Sequence, residues 1–290
     1  MVTIFSTAKP FVGHFGIIQG NALRSWSALV PDVEVIVFGD DDGTSEMCAE
    51  LGFRHVPDVE TNEYGTPLVG DMFARAQAMA NHAACCFVNA DIILLPELLE
   101  AVERVSAWSD RYFIVGRRRD IDLDQPLQFD SDWQERLRSE AALHGELMPE
   151  VWIDYFVFPT GTVQDIPAFA MGRSGYDNWL IWHAGNSGLP VVDVTPYFTV
   201  IHQRHDYSHG GGKKAIWEGP EAKRQRSMIS HWSHMHSVSH ARYMLDQTGA
   251  VVPSRGLSYR LARPRRVASH WLRFTRPIRR RLAGQGASRG

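Results

Sequence analysis

Ala84-Cys85-Cys86-Phe87-Val88-Asn89-Ala90-Asp91 is the stretch that decides the fold. Its first five residues are apolar without alternation, and the run stops on an Asn-x-Asp turn. A strand with no polar face is covered on both sides, which is the habit of parallel sheets flanked by helices. Upstream, residues 2–6 and 33–38 are runs of the same kind, and 53–56 is a shorter one. Between them Phe15, Ile18, Ala22, Trp26 and Leu29 keep helical spacing, as do Met72, Phe73, Ala76, Met79 and Ala80. Pro96 opens another helix, the position where its missing N–H does no harm, and 111–116 reads as a further strand. Strands separated by helices predict an α/β domain with a mostly parallel sheet and helices on both faces.

The second half is less regular. Residues 132–144 read as a helix, 153–158 as a strand, and 176–184 as a short aromatic-rich helix. Two strands follow at 191–194 and 198–201, then a polar loop at 202–214. A long helix is expected from about 219 to 247. The expected organisation is a domain over 1–218, a C-terminal helix over 219–250 packed on it, and a tail over 251–290.

At 290 residues, 44% hydrophobic and 22% charged, the chain can bury a sizeable core, which excludes disorder as its dominant state. Cys48, Cys85 and Cys86 have neither metal-ligand spacing nor a disulfide framework. A reduced, cytoplasmic compartment is expected. The start, Met1-Val2-Thr3-Ile4-Phe5, lacks the basic region of a signal peptide, and no apolar stretch reaches the length of a membrane span.

The net charge of -3 hides an asymmetry. Eleven of the 30 basic residues, all Arg, fall in 255–290, where there is no Asp or Glu. Trp271, Phe274, Ile278 and Leu282 recur there at helical steps among the arginines. A basic amphipathic helix of this kind lies at an anionic membrane surface. The alternative is a solvated tail. Nucleic acid ranks below both, because the acidic body opposes it.

Four clusters can carry chemistry. Asn89-Ala90-Asp91 ends a strand, where open α/β sheets bind ligands and a carboxylate can hold a divalent ion on phosphate oxygens. A turn before Pro96 is the plainer reading. Gly39-Asp40-Asp41-Asp42-Gly43 also follows a strand, and suits a ribose or base edge or else a solvated helix cap. Asp177, among Gly175-Tyr176-Asp177-Asn178-Trp179, is either a base made stronger by desolvation or an N-cap. The loop from His202 and His205 through Gly210-Gly211-Gly212 to Lys213 and Lys214 has the makings of a hinged lid over an anion. His231, His234, His236 and His240 would be spread around a helix and read as polar surface rather than a zinc site.

In their order and strand-end positions these features resemble nucleotide-diphospho-sugar glycosyltransferases of the GT-A fold, family-2-like. The resemblance spans roughly residues 2–215. Phe5-Ser6-Thr7 and Phe38-Gly39-Asp40-Asp41 match the nucleotide side, Arg75 lies on the helix before the Asp-x-Asp motif, and Asn89-Ala90-Asp91 occupies that motif. Two departures are visible: Asn89 replaces the first Asp, and Tyr176 replaces the first acid of a Glu-Asp pair.

The resemblance implies a Rossmann-type GT-A domain moving a sugar from a nucleotide-diphospho-sugar to a glycan or lipid-linked hydroxyl acceptor. It implies Mn²⁺ or Mg²⁺ held by Asp91 and His202. Thr7, Asp40, Asp41, Arg75, Asn89, Asp91, His205 and Lys213 are expected around the donor. Asp177 is expected as the base of an inverting reaction; Asp154, near the end of Trp152-Ile153-Asp154-Tyr155, is the second choice for an acceptor-side carboxylate. The rivals are a sugar-phosphate nucleotidyltransferase, which needs a glycine-rich loop that Thr7-Ala8-Lys9-Pro10 does not supply, and a non-catalytic sugar-nucleotide-binding scaffold.

Overall fold

A computed structural model describes residues 1–205 and 217–254. The chain divides into two units, Met1–Val252 and Pro253–Gly290. The arginine-rich stretch and the segment holding Gly210, Gly211, Gly212, Lys213 and Lys214 lie outside the described residues.

The first half follows the expected alternation. It runs β1 (Val2–Thr7), α1 (Gly13–Ser27), β2 (Val33–Phe38), α2 (Thr44–Leu51), β3 (Arg54–Val56), α3 (Val69–Met79), β4 (Ala84–Val88), β5 (Ile92–Ile93) and α4 (Glu97–Trp108). Next come β6 (Phe113–Val115), β7 (Arg118–Ile121), α5 (Trp133–His144), β8 (Glu146–Leu147), β9 (Tyr155–Pro159), α6 (Tyr176–Asn186), β10 (Val191–Asp193) and β11 (Val200–Gln203). The described chain ends with α7 (Pro220–Met228), two 3₁₀ turns, β12 (Tyr243–Leu245) and β13 (Val251–Pro253).

The main sheet has nine strands in the order β13-β12-β10-β6-β9-β4-β1-β2-β3. Most pairs are parallel; β9 runs antiparallel to both β4 and β6. Period-two alternation explains why both faces are filled. Ile4, Cys86 and Val88 face Leu23 and Trp26 of α1 and Leu98 of α4. Phe5, Cys85 and Phe87 face Phe73 of α3 and Leu180 of α6. The Phe5 and Phe73 rings meet edge-on at 4.9 Å, and Phe73 stacks on Phe158 at 5.5 Å, which fixes α3 beneath the centre of the sheet.

Two expectations fail. Residues 219–247 are not one helix. The helix stops at Met228, and the Trp232–His234 and Val238–His240 turns follow before β12 pairs in parallel with β10. Val238, Ala241 and Leu245 are buried at steps of three and four, which mimics a helical stripe. Their partner is a strand edge, so backbone pairing replaces the helix. A second sheet, in the order β5-β11-β7-β8, was also not expected. Its strands are two to four residues long, and one of them reads Arg-Arg-Asp-Ile.

Candidate metal and donor site

Strands β1, β2, β4, β6 and β10 run in one direction and end on the same edge of the main sheet, where β9 begins. That edge gathers Gly39, Asp40 and Asp41, Thr7, Asn89 and Asp91, Asp154, and Arg117 and Arg118. It is the edge on which open α/β sheets bind ligands.

The second sheet brings in the histidines. β5 begins one residue after Asp91 and pairs antiparallel with β11, setting His202 opposite Ile92. Gln203 then locks the junction. Its side-chain amide donates to the Asp91 carbonyl at 3.1 Å and the Ile18 carbonyl at 2.7 Å, while its oxygen accepts from Asn21 at 2.9 Å. Next along the chain, the Arg204 carbonyl lies 3.1 Å from His14 Nε2, and the His205 ring sits 5.2 Å from Phe15. The start of α1 therefore seats the loop.

In consequence Asp91 Oδ2 lies 3.1 Å from His205 Nε2 and 3.8 Å from His202 Nε2. One ligand atom from each residue falls within 4.8 Å of the others. Asp91 Oδ1 is buried without a hydrogen-bond partner among the described residues. An unsatisfied buried carboxylate oxygen is unfavourable unless a cation meets it. Burial alone would raise the Asp91 carboxyl. The opposing pull of His202, His205 and Lys9 holds it well below the usual carboxylate range. The group is an anion at any working pH.

A buried chain of contacts stands behind this corner. His202 Nδ1 lies 3.1 Å from Asp120 Oδ1, and Arg118 Nε lies 2.8 Å from the same oxygen. Arg118 Nη1 donates to both Asp154 oxygens, at 2.8 and 2.9 Å, and the Asn89 amide donates to Asp154 Oδ1 at 2.9 Å. Asp120 and Asp154 thus share one guanidinium, and Asp91 joins them through His202. Aspartate with two imidazoles, a bare oxygen and an excess of carboxylates is a donor set that fits a divalent cation.

Asp177 stands in the first turn of α6, but Gly175 is the N-cap, in the left-handed region at φ 103°. Asp177 is therefore not the N-cap itself, although its Oδ1 accepts the Asn178 backbone N–H at 2.8 Å in that first turn. Burial first, and then the Asp154 charge, push the Asp177 carboxyl up to about 7, against backbone hydrogen bonds that pull it down. A carboxylate poised there takes a proton readily at neutral pH.

The expected residues separate into groups. Asp91, His202 and His205 come together, so His205 sits in the metal corner rather than only beside a donor. Asp154 is held in a buried pair, with Arg118 engaging both of its oxygens. Asn89 directs its amide at Asp154. Thr7, Asp40, Asp41 and Arg75 gather at the ends of β1 and β2. The buried Thr7 Oγ1 has no partner among the described residues, and a Cβ on Gly39 (φ 93°) would come within 3.2 Å of it. Asp40 and Asp41 are at the surface; partial desolvation of Asp41, with the neighbouring charges of Asp42 and Asp40, raises its carboxyl. Arg75 lies over the Phe38 ring at 5.6 Å and donates to the Asp58 carbonyl at 2.5 Å. Lys213 lies outside the described residues.

No protein-family profile matches the chain. No curated protein matches it in sequence either. Solved structures do resemble it. Glucosyl-3-phosphoglycerate synthase from Mycobacterium tuberculosis, in complex with Mn²⁺, uridine diphosphate and glucosyl-3-phosphoglycerate, is 14% identical. That likeness covers 81% of this chain and 80% of that one, with a TM-score of 0.49. A second structure, described only as a mycobacterial protein, is 16% identical over 81% of this chain and 74% of that one, also at 0.49. S. aureus TarS 1-349 is 13% identical over 70% of this chain and 60% of that one, at 0.47. These are likenesses of chain path, and the chemistry of the site is read from its own side chains.

Three residues were missed in the sequence. Lys9 is tucked beside the site; burial pushes its ammonium down, Asp91 pulls it up and Arg173 pushes it down again. Arg173 precedes α6 and is paired to Glu221 of α7. Asp120 sits behind His202. A lysine next to Pro10 was the available signal for the first; nothing local marked the other two.

Proposed function

We propose that the chain is a metal-dependent glycosyltransferase that moves a sugar from a nucleoside-diphosphate sugar to a hydroxyl acceptor with inversion. The observation that carries this reading is the Asp91–His202–His205 corner at the strand-end edge, together with the Asp177 carboxylate, which is pushed up to about 7. A simple binding module needs no such pairing of a cation corner with a separate proton acceptor.

Asp91, His202 and His205 would hold the ion. Two imidazoles favour Mn²⁺ over Mg²⁺, which prefers oxygen ligands and retains water. When bound, the ion supplies charge neutralisation for a departing diphosphate. Lys9 adds positive charge near Asp91, and Arg173 lies near enough to Lys9 to act on it. Thr7, Asp40 and Asp41 suit the hydroxyls of a nucleoside. Arg75 holds the segment after β3 against Phe38 and shapes that pocket. Asp177 accepts the proton of the attacking hydroxyl at its carboxylate. Asp154, ion-paired with Arg118, keeps its carboxylate charge, which helps to sustain the basicity of Asp177.

The tail reading rests on the sequence of 255–290 alone: arginines around an apolar stripe, attached to an acidic body. It favours a membrane-surface location and an acceptor that is lipid-linked. No helix among the described residues is long and apolar enough to cross a membrane.

A thermal-shift screen of nucleoside-diphosphate sugars, with and without Mn²⁺, tests the function. The reading expects at least one to raise the midpoint only when Mn²⁺ is present. A panel without any Mn²⁺-dependent shift contradicts it.

A further inference from the structure

We infer that Asp120 is a positioning residue. It holds the His202 imidazole with the proton on Nδ1, so that the Nε2 lone pair faces Asp91 and the cation. The inference rests on the metal reading above. It concerns a residue that touches neither sugar donor nor acceptor, since Asp120 is only 4% exposed and lies behind the histidine.

Three observations carry it. The register of the second sheet sets Asp120 directly opposite His202 in a parallel pair, so both side chains leave the same face. The Nδ1 to Oδ1 separation is 3.1 Å, whereas Nε2 is the ring nitrogen turned toward Asp91, at 3.8 Å. Asp120 is itself fixed: Arg118 reaches Oδ1 with Nε at 2.8 Å and Oδ2 with Nη2 at 3.4 Å, and Arg118 is in turn held by Asp154. The 3.1 Å approach is a close contact rather than an aligned hydrogen bond, and neither His202 Nδ1 nor Asp120 Oδ1 has a hydrogen-bond partner among the described residues. An ionised carboxylate accepts only, so the ring nitrogen nearest it is the one that gains by carrying the proton. The partner of one ring nitrogen decides which nitrogen is left to bind a metal, and a carboxylate partner also strengthens the ligand. His205 is fixed differently, through its direct approach to Asp91 and its contact with the Phe15 ring.

The tautomer can be read without metal. Two-bond nitrogen–proton correlation spectra are recorded on full-length protein with isotope-labelled histidine, at a pH where free imidazole is neutral. The His202 signals are those missing from His202→Gln. Protonation at Nδ1 is expected; protonation at Nε2 in the wild type overturns the inference. Pulsed electron paramagnetic resonance of bound Mn²⁺ is the second measurement. The wild type should show two histidine nitrogen couplings. Asp120→Ala should lose one and bind Mn²⁺ about 10- to 100-fold more weakly. Asp120→Asn, which keeps an acceptor oxygen, should retain both couplings with a smaller loss, and serves where the alanine variant does not fold. Both couplings and wild-type affinity in Asp120→Ala overturn the inference. Wild-type protein that binds Mn²⁺ through no histidine overturns the metal reading and this inference with it, whereas the wrong tautomer alone overturns only the role of Asp120.

Discussion

His205 Nε2 lies 3.1 Å from Asp91 Oδ2, joining two loops separated by 114 residues of chain. The contact exists because β5 and β11 pair in the small sheet directly after Asp91 and directly before His205. Neither loop makes a site alone. His205→Ala should therefore weaken Mn²⁺ binding by roughly 10- to 100-fold while leaving the midpoint of metal-free unfolding within a few degrees. Titration calorimetry with Mn²⁺ checks the first part and a thermal melt the second.

Asp91 gives a sharper outcome. Its Oδ1 is buried with no partner among the described residues, and its carboxyl is held ionised by the neighbouring histidines. Asp91→Asn removes the charge and keeps the shape. Mn²⁺ binding should be lost, and donor turnover should fall by at least about a hundredfold, as when an electrostatic contact to a developing charge is removed.

Asp177 titrates near 7 in the folded protein, above its value in the unfolded chain. The sign follows directly. The folded state holds the extra proton, so this group favours folding below the unfolded value, and that contribution is lost as pH rises through about 7. Asp177→Asn is neutral throughout. Its midpoint relative to wild type should rise between pH 5 and pH 9, while transfer to the acceptor is lost and donor binding is retained. A difference in midpoint that is flat across that range would place the carboxylate in a solvated setting and remove the case for a base.

Arg118 bridges Asp120 and Asp154 in the buried chain behind the site. Arg118→Met strips two carboxylates of their counter-charge. Loss of about 3–5 kcal/mol is expected from denaturant unfolding at neutral pH. The loss should shrink at low pH, where the orphaned carboxylates can bind protons.

The tail prediction concerns residues beyond Val252. Full-length protein should sediment with anionic but not neutral vesicles, and salt should weaken the binding, because each arginine near such a surface contributes on the order of 1 kcal/mol. Truncation after Val252 should abolish it. Equal sedimentation of the truncated protein removes the tail from the account.

The central sheet was legible because its strands are uninterrupted apolar runs. Val33–Phe38 and Ala84–Val88 carry the same limits in sequence and in structure. Asp91, His202 and Asp177 were also legible, since each follows an apolar run or opens an aromatic helix. The small sheet was not. Arg118-Arg119-Asp120-Ile121 lacks the apolar run that marks the other strands, and it brings Arg118 and Asp120 into buried ion pairs with each other and with a histidine 82 positions along the chain from Asp120. The pairing of Asp154 was hidden for the same reason. A carboxylate beside a strand looks available until its partner, Arg118, arrives from another strand. The segment after Met228 misled through spacing, its buried apolar residues falling at helical steps on a backbone that makes turns and a strand.

The central claim is tested most directly by release of nucleoside diphosphate from a panel of nucleoside-diphosphate sugars, measured with Mn²⁺, with chelator, and with Asp91→Asn. The account predicts release from at least one donor with Mn²⁺ and wild-type protein, and none with chelator or with the variant. No release from any donor, or release that neither chelator nor Asp91→Asn diminishes, would contradict it.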